Sequence, residues 1–558
     1  MFVRRKTSKN SPKIAIQLVE NIREGKKVRQ KIVRHFGTAL NEEEAKVLTK
    51  LALNYKDKLL RESDQLKLFE KTDSDTIERL VESSKAVQPD RLDVNLKDIV
   101  EEKRIITGIH QVFGKIFDNI GYNDILKNPS RKKSSVKLLK NVVLGRIAEP
   151  LSKRSTARML SEEYGINTQT TAIYRMMDYI DDEAIEKIQE QTYHYTKQLK
   201  GEELDVVFYD CTTLYFESFQ QDGLRQNGFS KDGKFNQTQI ILSILVTKQG
   251  LPVGYQVYAG NTFEGNTLED AIALIKKKYN IREIIFVADS GLISHKNINE
   301  LHNNNINFII GARIKNLNKD IKAQILNKSD YKKIDNKQQE AGLLYKQIPI
   351  NDYLTLTVTY SPKRAEKDKY DREKAIEKLK NKLQKSKNPK ELLSNFGYKK
   401  FIKVEREANW EIDKQKLKEA EKWDGLKGII SNTKTLTPLQ QITHYSSLWQ
   451  VEETFRISKH DVKMRPIYHW TDRRIKAHIA ICFMALSCMR FAEYEIAARY
   501  KKMSPAEIRH QLKQVQTSIL KDNSTKKLYA LPSKIQKDAY KILSLYDIKH
   551  ITTPYEII

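Results

Sequence analysis

The period of the apolar residues changes at residue 204, and no other feature constrains the fold as strongly. Residues 94–200 read as helices. Beyond them come five short apolar runs: 204–209 (LDVVFY), 239–247 (QIILSILVT), 254–259 (GYQVYA), 284–288 (IIFVA) and 307–311 (NFIIG). Runs of this length, rich in Val, Ile, Phe and Tyr, predict strands. Gly250-Leu251-Pro252 marks a turn between the second and third. Helical patterns at 267–279 and 295–303 precede the fourth and fifth. The first three strands predict an antiparallel meander, and the later two extend it in parallel. The expectation is a mixed sheet flanked by helices.

This α/β order is ribonuclease-H-like, the arrangement also called retroviral-integrase-like. A stretch at 314–432 interrupts it, with β-like runs KQIPI, YLTLTVTY and LKGIIS and a charged helix at 363–387. The expected organisation is a basic N-terminal region (1–93) and a helical DNA-binding region (94–200). A core in two parts follows (201–313 and 433–500), split by a strand-rich insertion (314–432), and then a tail of short helices with a β-like end (501–558).

Two of the apolar runs end at an aspartate, Asp210 and Asp289. A carboxylate at the end of a buried strand is held rigidly at the sheet's rim. A third acid, Glu452, lies in 445–465 (YSSLWQVEETFRISKHDVKMR), which has no Gly or Pro and reads as one helix. Tyr445, Glu452 and Lys459 are spaced seven apart and would share a stripe, with Arg456 nearby. Three hard carboxylate donors suit Mg²⁺ or Mn²⁺. Two such ions about 3.5–4 Å apart activate an attacking oxygen and stabilise a leaving one in an in-line phosphoryl transfer. Plainer readings stand beside this. Asp210 would bind the backbone of residues 211–213, Asp289 would form a turn with Ser290-Gly291, and the Tyr-Glu-Lys stripe would be a solvated helix face.

Lys and Arg number 99 and Asp and Glu 71, a net charge of +28 spread along the chain. The excess suits a polyanion such as nucleic acid, although a Lys- and Asn-rich composition also reflects AT-rich coding. Cys211, Cys482 and Cys488 form no CxxC pair, so no zinc ribbon or disulfide framework is expected, and a reduced, intracellular setting is. The N-terminus lacks a signal-peptide core, and the apolar run 479–489 is too short to span a bilayer, so no membrane partner is expected. Residues 1–40 predict a basic β-hairpin turning at EGKK. At 152–180, Ser155 is placed to cap a first helix and Gly165 to end it. Thr170, Thr171, Tyr174 and Arg175 would face outward on a second helix. This outlines a helix-turn-helix, whose second helix enters a major groove, or an ordinary helical hairpin.

The ordered pieces YDCTTLYFES (209–218), GFSKDGK (228–234), GNTFEGNTL (260–268), VADSGLIS (287–294), YSSLWQVEETFRISK (445–459) and RPIYHWTDRRIKAHIAICFMAL (465–486) resemble the DDE transposases of bacterial insertion sequences. The likeness is to the superfamily marked by a Tyr-x2-Arg-x3-Glu-x6-Lys signature. The resemblance implies that Asp210, Asp289 and Glu452 are the catalytic, metal-holding triad. It also implies that Tyr445 and Lys459 contact phosphates near the transposon end. The signature arginine is Leu448 here, and Arg456 stands one turn beyond Glu452 as a replacement cation. Trp449 would stack on a base at the cleaved end or pack against the sheet.

The activity implied is hydrolysis at the terminal inverted repeats to free a 3′-OH, then attack of that hydroxyl on target DNA. Mg²⁺ or Mn²⁺, as two ions, would be the cofactor, and a homodimer would hold the two ends. The setting implied is cytoplasmic and nucleoid-associated. Two alternatives remain at the level of sequence: a non-catalytic DNA-binding relic or regulator derived from a transposase, and a structure-selective nuclease of the same fold.

Overall fold

The computed structural model describes the chain apart from residues 1, 9–10, 25–26, 40–43, 54–75, 87, 89–91, 127–131, 201–205, 229–235, 274–284, 293, 335–341, 386–399, 407–408 and 558. Most of GFSKDGK and the second half of the helix expected at 267–279 lie outside the described residues. The chain divides into two compact units, Met1–Arg282 with Trp449–Ile558, and Glu283–Leu448.

The first unit is built on the helix Asp472–Arg499, buried along most of its length from Ile475 to Ile496. A helix apolar on every side must be enclosed. By length and composition this one is able to cross a membrane, but 94% of its most apolar stretch is buried inside the unit. The helices Gly108–Ile120, Lys132–Ala148, Asp182–Lys200 and Pro505–Lys513 pack around it. Its two buried charges are both satisfied. Glu495 accepts hydrogen bonds from the Tyr195 and Tyr546 hydroxyls, each 2.6 Å. Arg490 donates to the carbonyls of Gly250 and Gln249 at 3.0 and 3.1 Å. Three strands complete this layer: Val206–Tyr215, Gln239–Thr247 and Pro252–Ala259, the predicted antiparallel meander.

Around this core the unit carries two further sheets. Phe2–Ser8, Ser11–Glu24 and Lys27–Ala39 form an antiparallel trio, so the predicted basic hairpin has a third strand in front of it. Ile16, Leu18, Phe36 and Ala39 bury against Ala45, Leu48 and Ala52 of a helix at 44–53. The other sheet corrects the sequence reading. Ile99–Ile106, expected to be helical, is a strand paired antiparallel with Gln516–Asp522, which pairs with Leu528–Pro532 and then Tyr555–Ile557. Its partner lies some 400 residues away in sequence, so local periodicity across the charged EEKR could not reveal it. The region 501–558 thus carries the expected short helices, Pro505–Lys513 and Lys537–Leu545, and the expected β-like tail, Tyr555–Ile557, together with two strands that were not expected, Gln516–Asp522 and Leu528–Pro532.

The helical hairpin is present as Lys153–Tyr164 and Thr170–Met177, closed at Gly165. Its N-cap is Ser152, not Ser155: the Ser152 hydroxyl accepts from the Ser155 amide at 3.2 Å.

In the second unit, Ile285–Ala288 and Asn307–Ala312 pair in parallel, as predicted. Leu426–Ser431, Thr355–Tyr360, Leu344–Pro349 and Lys332–Lys333 then continue the same sheet, antiparallel at each step. Four strands of 314–432 therefore extend the sheet of Ile285–Ala288, while Ile402–Arg406 and Asn409–Ile412 pair with each other in a separate two-stranded sheet. The charged helix Pro362–Lys385 is present. It is tied down by Arg372, whose guanidinium reaches Asp424 at 2.5 Å.

His110, on the helix Gly108–Ile120, is buried against the Tyr164 ring, centroids 4.8 Å apart. Neither ring nitrogen has a hydrogen-bond partner among the described residues. Burial first, and then the positive charge of Lys140, push its pKa down to about 3. The imidazole is neutral in the folded chain and protonates near pH 6.5 in the unfolded one. Its contribution is whole above pH 6.5 and is lost as pH falls toward 3. We expect His110→Leu to flatten the acid limb of stability against pH by up to about 1.4 kcal/mol per pH unit between about pH 4 and 6. Urea unfolding at a series of pH values measures this.

Candidate active site

Asp210 is placed by a strand longer than its apolar run. Sequence reasoning ended the strand at Tyr209, yet the ladder runs to Tyr215, because Thr212 and Thr213 are β-formers that bury into it. Asp210 is therefore in mid-strand, a correction to the expected rim position. It pairs with Ile244, which pairs with Tyr255. Residues directly opposite in a ladder share a face. Tyr255 meets Phe483 of the core helix at 4.6 Å between ring centroids, so Asp210 points to the core-helix side. The neighbouring Tyr209 and Cys211 point the other way, toward Thr267. Asp210 is half-buried, and its Oδ1 accepts from the Cys211 amide at 2.8 Å.

Glu452 sits in the first turn of the helix Trp449–Arg456. Val451, Thr454 and Phe455 bury, and the helix packs on the strands Val206–Tyr215 and Gln239–Thr247. Gln450 Oε1 lies 3.4 Å from Arg490 Nη2 of the core helix, which puts this helix on the same side of the sheet as Asp210. Glu452 is exposed and makes no hydrogen bond or ion pair among the described residues. Its neighbour Glu453 is taken: Arg456 holds it through Nε at 2.7 Å and Nη2 at 2.6 Å. That bidentate bond lowers the Glu453 pKa and raises that of Arg456. Arg456 also lies 3.6 Å from Asp461.

The single helix expected over 445–465 is broken twice. Pro438–Ser446 ends, and Ser447 and Leu448 turn the chain before Trp449–Arg456 begins. The Ser446 and Ser447 hydroxyls both bond the Thr443 carbonyl, and such side-chain bonds compete with the ladder. Ile457–Asp461 then widens into a π turn, closed by the Val462 amide on the Ile457 carbonyl at 2.9 Å. Lys459 lies on that turn, so its seven-residue spacing from Glu452 is not two α turns. Tyr445 belongs to the preceding helix, and the three residues do not form one stripe.

In the second unit Asp289 follows the last residue of Ile285–Ala288, at the predicted strand end, and is exposed. The Tyr445 hydroxyl donates to its Oδ1 at 3.4 Å. A Cβ on Gly311 would stand 2.2 Å from that hydroxyl, so only glycine leaves Tyr445 room to reach Asp289. The Tyr445 helix is set by a capping box, Thr437 with Gln440, and by Pro438 in its first turn. Leu448, at the signature-arginine position, is only 8% exposed.

The groups suggested for DNA contact divide. Trp449 is half exposed with Lys502 Nζ 5.8 Å from its ring centroid, so it does not serve as sheet packing. Thr171 and Arg175 are exposed on Thr170–Met177 and Thr170 is half-buried. Tyr174 is committed: Arg474, itself bidentate to Asp178, lies over its ring at 5.1 Å. Among the described residues no three of His, Cys, Asp and Glu stand close enough together to hold a metal. Each of Asp210, Asp289 and Glu452 is a hard oxygen donor of the kind Mg²⁺ and Mn²⁺ take, and Glu452 and Asp289 are exposed. Sequence reasoning missed Arg490 and Gln450, and read Gly250 only as a turn, although Arg490 joins that turn to the Glu452 helix. Their signal was an arginine directly after the apolar run 479–489.

A family model described as the transposase DDE domain matches residues 201–488, and one described as the N-terminal domain of IS1634 family transposases matches residues 3–66. No curated protein sequence matches the chain. Among solved structures it resembles a piggyBac transposase synaptic complex with hairpin DNA (10% identity, 73% of this chain and 76% of that one, TM-score 0.35). Another is a Mos1 transposase paired-end complex with left transposon end (12% identity, 28% and 53%, TM-score 0.15).

Gly250 has φ +72°, and a Cβ there would stand 2.0 Å from Arg490 Nη2. Gly250→Ala forces a side chain into left-handed backbone and displaces a buried guanidinium. We expect it to lower stability by about 2–4 kcal/mol, read by urea unfolding. Gly223→Ala is the control, since its new Cβ would meet only Asp472 at 3.8 Å.

Proposed function

Because the chain belongs to the family of transposases with a DDE domain, we propose that it cuts the ends of an insertion sequence and transfers the freed 3′-OH strand to target DNA. One observation carries the proposal: the matched span, residues 201–488, contains Asp210, Asp289 and Glu452, the three acids that the sequence resemblance implies as the triad. In this reading the core is ribonuclease-H-like and these three carboxylates hold Mg²⁺ or Mn²⁺. When bound, such ions supply an activated attacking oxygen and neutralise charge on the phosphate.

The chain's own residues set the conditions for that chemistry. Asp210 is fixed by the ladder and the Cys211 amide. Arg456 neutralises Glu453, which leaves Glu452 as the acid of that helix available to a cation. Tyr445 orients Asp289. Trp449, Lys459 and the outer edge of Arg456 face DNA near the cleaved end. Thr170, Thr171 and Arg175 on the helical hairpin, with the basic N-terminal sheet, bind the terminal repeats. Tyr174 supports that hairpin from within. Two copies hold two ends, and the protein works in the cytoplasm on the nucleoid.

The buried Leu448 favours a second reading, a DNA-binding relic that no longer cuts. The test is nicking of labelled DNA carrying the element's ends, with Mg²⁺ or Mn²⁺, by wild type, Glu452→Gln and Glu453→Gln. Our reading expects Glu452→Gln to lose at least about 100-fold in rate, on the order of 3 kcal/mol, and Glu453→Gln to keep most of it. Specific binding without nicking by the wild type would support the relic instead.

A further inference from the structure

We propose that Trp470 is a stacking platform for an unpaired base of DNA, held from beneath by Arg225. The proposal rests on the reading that this chain handles DNA. After Tyr215 the first meander strand continues as Phe216, which bridges to Ile467. The Ile467 amide donates to the Tyr215 carbonyl at 3.3 Å. This lashes the segment 465–471 to the end of the sheet. Thr471 then caps the core helix, its hydroxyl accepting from the Arg474 amide at 3.4 Å. Trp470 is thus fixed at both sides by rigid elements.

One face of its indole is occupied. The Arg225 guanidinium carbon lies 4.9 Å from the Trp470 ring centroid and 5.8 Å from that of Phe216. Arg225 is itself pinned: its amide and Nε donate to Asp222 at 2.7 and 2.6 Å. It is only 4% exposed, and its Nη1 makes no hydrogen bond among the described residues. The other face of the ring is open, and Trp470 remains 58% exposed. Tyr468, two residues earlier, is 63% exposed, and Phe219, on the loop that carries Arg225, is 75% exposed.

The chemistry of this patch selects its occupant. Its exposed large apolar groups are all aromatic, and an aliphatic partner-binding face would carry Leu, Ile or Met. Between 463 and 476 the chain holds five cations, Lys463, Arg465, Arg473, Arg474 and Lys476, against one acid, Asp472; Arg474 and Lys476 pair with Asp178 and Asp182 outside the segment. Lys463 and Arg473 make no ion pair among the described residues. Planar rings with an open face beside cations fit stacked bases whose phosphates run along a basic edge. A paired duplex keeps its bases inside and offers this face nothing, so the ligand is a single-stranded or unstacked nucleotide.

The test uses the full chain without divalent metal, so that binding is read apart from cleavage. Fluorescence anisotropy compares a labelled single-stranded oligonucleotide with the blunt duplex of the same sequence, for wild type, Trp470→Ala and Trp470→Phe. We expect Trp470→Ala to weaken single-strand binding about 10-fold or more, with Trp470→Phe restoring most of it and duplex binding within about twofold of wild type. Unchanged single-strand binding, or equal loss on both DNAs, would overturn the proposal. So would a change in oligomeric mass in Trp470→Ala, which would assign the patch to a second copy. A wild type that bound neither DNA would sink the transposase reading itself, whereas an unaffected Trp470→Ala sinks only the stacking site.

Discussion

A buried guanidinium holds the first unit together. Arg490 is buried directly after the apolar run 479–489 of the core helix, and an unpaired charge there would cost several kcal/mol. It is satisfied by the Gly250 and Gln249 carbonyls, by Glu493 and by Gln450. Those partners belong to the turn between two meander strands, to the core helix and to the Glu452 helix. One side chain therefore ties together the sheet that carries Asp210 and the helix that carries Glu452. The left-handed turn at Gly250 follows from the same contact, since any Cβ there would displace the guanidinium.

The two halves of the acid set are built by different means. In the first unit, ladder pairing places Asp210 and Ile244 on the core-helix side, and Gln450 fixes the adjoining helix on that side too. In the second unit, Asp289 is a strand-end carboxylate steadied by one tyrosine, and Gly311 gives that tyrosine its room. The Glu453–Arg456 bond separates two adjacent acids into different roles: one is neutralised by a cation, the other left to the solvent side. A similar division recurs at the far end of the meander, where Asp222 pins Arg225 and Arg225 supports Trp470.

What was legible in the sequence was what depends on near neighbours. Strand runs at 239–247 and 307–311, the helix pair closed by Gly165 and the turn before Pro252 all follow from local period and turn chemistry. What depends on distant partners was not legible. The strand Ile99–Ile106 needs Gln516–Asp522 to define it, and Leu426–Ser431, with the strands beyond it, joins a sheet at Asn307–Ala312. Asp210 was placed at a strand end, because the polar Cys-Thr-Thr hides the continuation. The 445–465 stretch has no Gly or Pro to announce its breaks. Serine hydroxyls turn it at 446–448 and a π turn widens it at 457–461, so a stripe drawn at seven-residue spacing does not survive.

The proposal at the centre of this account is that Asp210, Asp289 and Glu452 hold the metal. Replacing Mg²⁺ by Fe²⁺ with ascorbate and peroxide generates hydroxyl radicals at the bound ion, which cut the backbone beside its ligands. The account predicts three sets of fragments, ending near residues 210, 289 and 452, all suppressed by excess Mg²⁺. Cuts missing from any of the three positions, or unchanged in Asp210→Asn combined with Glu452→Gln, would contradict it.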